Sequence, residues 1–300
     1  MTEWKKIASE LSKISDAQIE RGLAGLTSFG VGGAARLAVF PKSRDELENV
    51  MIQLWNRNIK NVVIGRGTNL LIADTGFDGA IVVIDGGIDK VFQTPNGLWI
   101  FEAGASLTQA IIAAANSGYA GLENLAGIPG SVGGAVKMNA GAYGVSFADK
   151  LVSLELLTNN GFAEINANEI MREYRKINLT NDAVIVSANV QLEKDESRSV
   201  IERIENINNT RAQTQPLREK SAGCIFKNPE GMHAGMMIDR AGLKAKRVGG
   251  AMVSTIHANF IVNTGNATAD DIMKLIETVR KEVLKIFGVM LELEIVTIGF

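Results

Sequence analysis

Apolar residues recur at helical spacing through residues 3–18, a pattern that predicts a short amphipathic helix. An apolar run at Arg36–Phe40 predicts a strand, and Ser43 with Glu46 forms a capping box for a helix reaching about Asn58. Asn61–Ile64 has the continuous apolar character of a buried strand. The loop Gly65-Arg66-Gly67-Thr68-Asn69 follows it, and then a second apolar pair, Leu70-Leu71. Further strands are predicted at Gly79–Ile84, Val91–Gln93 and Leu98–Phe101, the last two joined as a hairpin by Pro95-Asn96-Gly97. Ser106 and Gln109 cap a helix that ends near Gly118.

The middle of the chain is β-rich. Leu151–Leu157 and Phe162–Ile165 flank the turn signal Asn159-Asn160-Gly161, and Val184–Leu192 alternates like a half-buried strand. At Lys194-Asp195-Glu196-Ser197-Arg198 the composition shifts to charge, which marks a boundary near 194 and starts a helix to about Arg211. Thr268 caps a helix whose apolar face is Ile272, Leu275, Ile276, Val279 and Val283, and Leu291–Ile298 reads as a closing strand. Between the two halves lies Gly121–Gly144, nearly free of charge and holding seven of the chain's 31 glycines. Glycine frees the backbone to approach another group at an entropic cost. Two readings fit such a run: a cradle of N–H groups for phosphate oxygens, or a set of turns between strands.

Bulk properties narrow the classes. Three hundred residues exceed the usual reach of one core, which predicts two or three domains. With 46% hydrophobic and 21% charged residues the chain is an ordinary globular protein. Its net charge of −2 supplies no broad basic surface for nucleic acid or an anionic membrane. A single cysteine, Cys224, excludes an internal disulfide and a cysteine-rich metal site, so no metal is expected. The N-terminal residues lack the apolar core of a signal peptide and no long apolar span occurs, which places the protein in the cytoplasm without membrane insertion.

Two familiar nucleotide fingerprints fail. A dinucleotide fingerprint starting at Gly65 needs a small residue where Leu70 stands, and no Gly-Lys pair exists for a P-loop. The strings GRGTNLLI at 65–72, NLAGIPGSVGGAVKMNAGAYG at 124–144, SAGCIFKNP at 221–229, HANFIVN at 257–263 and LELEIV at 291–296 instead resemble, in order, the motifs of the UDP-N-acetylenolpyruvoylglucosamine reductase (MurB) family.

The resemblance implies an α+β flavoprotein of the PCMH (vanillyl-alcohol-oxidase-like) type. Its expected parts are two FAD-binding subdomains, 1–85 with the strand at 290–300 and 86–194, and a substrate domain, 195–289. It implies reduction of UDP-N-acetylglucosamine enolpyruvate to UDP-N-acetylmuramate by NADPH through FAD. The cofactor is expected to be noncovalent, because His233 and His257 lie far in sequence from the glycine loops. Residues implied to hold FAD are Ile64, Gly65, Arg66, Gly67, Thr68, Asn69, Leu70, Gly104, Gly127, Ile128, Pro129, Gly130, Ser131, Gly133, Gly134, Asn139, Ala140 and Gly141, mainly through main-chain N–H groups on the pyrophosphate.

By the same resemblance, Arg175 polarises the enolpyruvyl carboxylate. Cys224 stands where best-known members have serine and donates the proton to C2. Glu294 is a second acid or orienting group, with Glu292 two residues away on the same face of a strand. Tyr174, Lys227, Asn228 and Asn259 are implied to bind substrate. The absence of a long insertion between Arg175 and Cys224 resembles the shorter, type II members, and a monomer is expected. Two rivals stand beside this: an oxidase of the same flavin fold, and a noncatalytic nucleotide-binding module.

Overall fold

Helix α1 spans Glu3–Leu11 and buries Ile7, Ala8 and Leu11. It is therefore shorter than the helix predicted to residue 18 in the computed structural model, which describes residues 3–180 and 182–300. The amides of Ile14 and Ser15 fold back on the Leu11 carbonyl at 2.8 and 2.9 Å and close its last turn. Asp16–Gly22 is instead the edge strand of a four-stranded sheet that continues through Ala34–Phe40, Phe77–Val83 and Asn61–Ile64. Pairing with distant residues overrides the local helical spacing here.

The chain divides into two units, one of residues 1–19, 37–66 and 79–210, the other of residues 20–36, 67–78 and 211–300. In the first, α2 (Arg44–Asn56) starts as its capping residues dictate: Ser43 Oγ accepts from the Glu46 amide at 3.2 Å, and the Glu46 carboxylate accepts from the Lys42 amide at 2.9 Å. Asn61–Ile64 runs parallel to Ala80–Val83. A five-stranded antiparallel sheet follows the order Gly161–Asn166, Leu151–Thr158, Val184–Val190, Trp99–Glu102, Val91–Gln93. Both predicted hairpins are present in it, Val91 facing Phe101 and Leu157 facing Phe162.

Helix α3 (Leu107–Asn116) and a short helix, α4 (Val132–Lys137), join this sheet in one core, where Leu107, Ile111, Val132 and Val136 meet Phe101, Leu154 and Ala188. The α4 turn lies inside the glycine run and has too few apolar side chains to register as a periodic pattern. Helix α5 (Ser197–Thr214) begins three residues later than the charge shift suggests.

The second unit holds α6 (Ala234–Arg240) and α7 (Ala269–Phe287). The α7 capping box is complete, with Asp271 N donating to Thr268 Oγ1 at 3.0 Å and Thr268 N to Asp271 Oδ2 at 3.1 Å. All five predicted apolar residues of α7 are buried, and Gly288 ends the helix at φ +70°. Beside it lies a sheet of Arg247–Val248, Ala251–Val253 and Ile261–Asn263. The predicted strand 291–298 is regular only at Val296–Ile298, which pairs parallel with Leu70–Ile72. Residues 292–294 bond instead to residues 225–227.

Candidate functional site

Gly223, at φ +76°, turns the chain into the segment 224–228, and two other segments of the second unit hold that segment in place. On one flank the Ile225 amide donates to the Asn259 carbonyl at 2.8 Å. The Asn259 side chain, 3% exposed, accepts from Phe226 N at 3.0 Å and donates to Phe226 O at 2.8 Å. A single amide group thereby satisfies two buried main-chain groups, as a neighbouring strand would. On the other flank Glu294 N donates to Ile225 O at 2.8 Å and Lys227 N to Glu292 O at 2.9 Å.

Cys224 is half-buried, stands opposite Phe260 in an isolated bridge, and lines a cavity of about 390 Å³ with Asn228, Lys244, His257 and Asn259. Asn228 Oδ1 accepts from the Ala234 amide at 3.0 Å at the start of α6. Lys244 pairs with Asp239 at 2.8 Å and Lys227 with Glu292 at 3.3 Å. Burial, and then the charge on Lys244, push the His257 pKa below 6.5, so the ring is neutral near pH 7 and its Nδ1 accepts from Asn259 N at 3.3 Å. The cavity thus gathers the predicted residues Cys224, Asn228 and Asn259, while Glu294 joins through the main chain of Ile225. Lys244 lies outside every quoted motif, and His257 opens one of them without being assigned a role.

Arg175 belongs to the first unit. It is the second residue of a two-residue turn between Met171–Glu173 and Lys176–Asn178, at φ +60°. Its Nη1 donates to the Gly141 carbonyl at 2.6 Å, and its guanidinium carbon lies 5.2 Å from the ring centre of Tyr174, which is 52% exposed. The sequence signals neither this hairpin nor its tie to the glycine run.

The glycines of the two loops serve different ends. A Cβ on Gly65 would stand 2.0 Å from Ser131 Oγ, and one on Gly133 would stand 3.0 Å from the Ala103 Cβ. The amides of Gly133, Asn139, Ala140 and Gly104 are spent on Ala103, Val136, Ala135 and Ile88 carbonyls, and Gly134 N caps onto Ser131 Oγ at 3.3 Å. These residues press the loop onto its own unit. Among the described residues, by contrast, the main-chain N–H groups of Gly65 and Arg66 have no acceptor, nor does that of Gly130 at φ +142°. In the second unit, Gly67 at φ +63° fits where a Cβ would meet the Leu26 carbonyl oxygen at 1.8 Å, and the Asn69 amide likewise has no acceptor. Main-chain N–H donors without acceptors, beside glycines that let the backbone come close, fit the pyrophosphate of a dinucleotide.

Residues 35–164 match the family model of an FAD binding domain, and residues 215–298 match that of the UDP-N-acetylenolpyruvoylglucosamine reductase C-terminal domain. A UDP-N-acetylenolpyruvoylglucosamine reductase of Chloroherpeton thalassium is 38% identical over 95% of this chain and 94% of its own. That of Bacillus subtilis is 35% identical over 98% and 99%. The chain belongs to the MurB family. A solved MurB from Thermus caldophilus matches 95% of this chain and 99% of its own with a TM-score of 0.81 and 34% identity. The α+β, PCMH-type flavoprotein fold expected from the motifs is thus present, and the MurB-type chain is a reductase with an FAD-binding domain. MurB reductases serve peptidoglycan synthesis. No helix among the described residues is long and apolar enough to cross a membrane.

Proposed function

We propose that this chain reduces UDP-N-acetylglucosamine enolpyruvate to UDP-N-acetylmuramate in the cytoplasm, as a monomer, with NADPH as reductant and noncovalent FAD as carrier. The observation that supports it most is the clasp on residues 224–228, which fixes Cys224 between Asn259 and the segment bearing Glu294. Ile64–Leu70 and Gly127–Gly141, with Gly104, would hold the FAD, its pyrophosphate on the uncommitted amides of Gly65, Arg66, Asn69 and Gly130. Bound there, FAD supplies hydride transfer.

The chain's own residues supply the rest. Hydride addition at C3 leaves negative charge at C2 and on the adjoining carboxylate, which the Arg175 guanidinium stabilises. The Cys224 S–H bond breaks as the new C2–H bond forms, and the resulting thiolate regains its proton before the next turnover. Glu294 orients the carboxylate end of the substrate or serves as a second acid. Tyr174, Lys227 and Asn228 bind the substrate, and Asn259 serves the same end through the main chain of Phe226.

Purified protein tests this directly. It should be yellow, release FAD on denaturation, and turn over NADPH catalytically only when the enolpyruvyl sugar nucleotide is present, beyond the one equivalent that reduces the bound flavin. Colourless protein, or rapid oxygen consumption without that substrate, would overturn the reading.

A further inference from the structure

Among the described residues, six that are not glycine take positive φ, and Asn139 (+40°), Tyr143 (+49°) and Arg175 (+60°) are three of them. Backbone of this kind is strained for a residue with a side chain and persists where its surroundings over-determine it. For Arg175 those surroundings are the end of the glycine run. Asn139 Nδ2 donates to the Glu173 carbonyl at 3.2 Å, while its Oδ1 accepts from the Ala148 amide at 3.1 Å. Two residues further on, the Gly141 carbonyl takes Arg175 Nη1 at 2.6 Å, and a Cβ at Gly141 would crowd that nitrogen at 3.2 Å.

Asn139 is itself anchored. Its own amide closes onto Val136 O at 2.9 Å and the next onto Ala135 O at 2.8 Å, so the residue is a rigid extension of α4. Asparagine is one of the few side-chain-bearing residues that tolerates this backbone, and here its amide reaches across to the turn that carries Arg175. We propose that Asn139 is a positioning residue for Arg175: it fixes the 173–176 turn so that the guanidinium is held in one place for the substrate carboxylate. The proposal rests on the role assigned to Arg175 above, and it gives the Asn139 side chain a task apart from holding the cofactor.

The informative variant is Asn139→Gly, which keeps the positive φ and removes only the side chain. Asn139→Asp is the second, since it keeps the acceptor for Ala148 N and loses the donor to Glu173 O. For both, rates are taken per bound flavin, and the reading is the split between the two half-reactions rather than either rate alone. Oxidation of the reduced enzyme by the enolpyruvyl substrate should fall about tenfold or more, because small misplacements of a catalytic group carry penalties of that order. In an Arg175→Ala background Asn139→Gly should add less than a further twofold, since both changes remove one function. Hydrogen exchange in the 171–178 hairpin should accelerate in Asn139→Gly, with or without FAD. Multiplicative effects, an equal loss in both half-reactions, or unchanged hairpin exchange would each overturn the proposal. An Arg175→Ala enzyme with full activity would instead sink the role of Arg175 itself, while hairpin exchange still reports on the clamp.

Discussion

Glu294 donates its main-chain N–H to the carbonyl of Ile225 at 2.8 Å, immediately beyond Cys224. Two residues distant in sequence are thereby held on adjoining segments of one unit, with Asn259 bracing the other side. The consequence for Cys224 is a fixed main-chain position from which its thiol projects. Cys224→Ser should retain measurable turnover, whereas Cys224→Ala should lose about a hundredfold or more of substrate reduction. Rapid-mixing measurements of the two half-reactions check this, because flavin reduction by NADPH should be preserved in both variants. Full activity in the alanine variant would remove the thiol from the mechanism.

Asn259→Leu should destabilise the protein by about 4 kcal/mol, since it strands the buried N–H and C=O of Phe226 at once. Urea titration followed by fluorescence measures the shift. A midpoint equal to the parent's would show that another group takes over both bonds.

His257 couples stability to pH. Burial, with the Lys244 charge second, sets its folded pKa below the ordinary 6.5, so the unfolded chain binds the proton more tightly. The contribution is fully present above the unfolded value of about 6.5 and is lost as pH falls through the folded one. The melting temperature of the parent should therefore fall more steeply below pH 6.5 than that of His257→Gln. Parallel profiles would mean that His257 does not titrate differently in the folded chain.

Ala245 sits at φ +62°, a conformation that glycine adopts without steric cost. Ala245→Gly should raise stability by about 1 kcal/mol, the relief of strain exceeding the added freedom of the unfolded chain. The turn's main-chain bonds, Ala245 N to Val253 O at 3.0 Å and Lys246 N to Leu243 O at 3.1 Å, need no side chain. Thermal unfolding checks this, and a lowered melting temperature contradicts it.

The elements legible in the sequence were those whose cause is local. Ser43 with Glu46 and Thr268 with Asp271 cap α2 and α7 because the reciprocal bonds span only three residues. The five-residue apolar stripe of α7 and the two hairpins of the five-stranded sheet follow from periodicity and turn chemistry. Elements fixed from a distance were not legible. Residues 16–18 look helical but are claimed by a sheet, and 292–294 look like strand but bond to 225–227.

The same division holds in the candidate site. Motif resemblance singled out Arg175, Cys224 and Glu294, yet no spacing rule brings 224, 259 and 294 together, because the bonds between them form only in the folded unit. The glycine run posed a different difficulty. Glycines needed for tight packing, such as Gly133, cannot be told by residue type from those that leave an N–H exposed, such as Gly130. The resemblance marked Asn139 only as a residue that holds FAD, and nothing in the sequence signalled the bonds its side chain makes to Glu173 and Ala148.

The parallel pairing of Val296–Ile298 with Leu70–Ile72 imposes an order on biosynthesis. The first unit has all its residues once position 210 has left the ribosome, and it can fold while translation continues. The second unit cannot, because Leu70–Ile72 must wait for partners encoded more than two hundred codons downstream, as the Asn69–Glu294 bond with its separation of 225 residues also requires. Until then Leu71 and Ile72, both fully buried in the finished protein, are exposed on the nascent chain. A stall or truncation ahead of residue 296 would therefore release a chain with one finished unit and one sticky one, a natural substrate for chaperones and proteases.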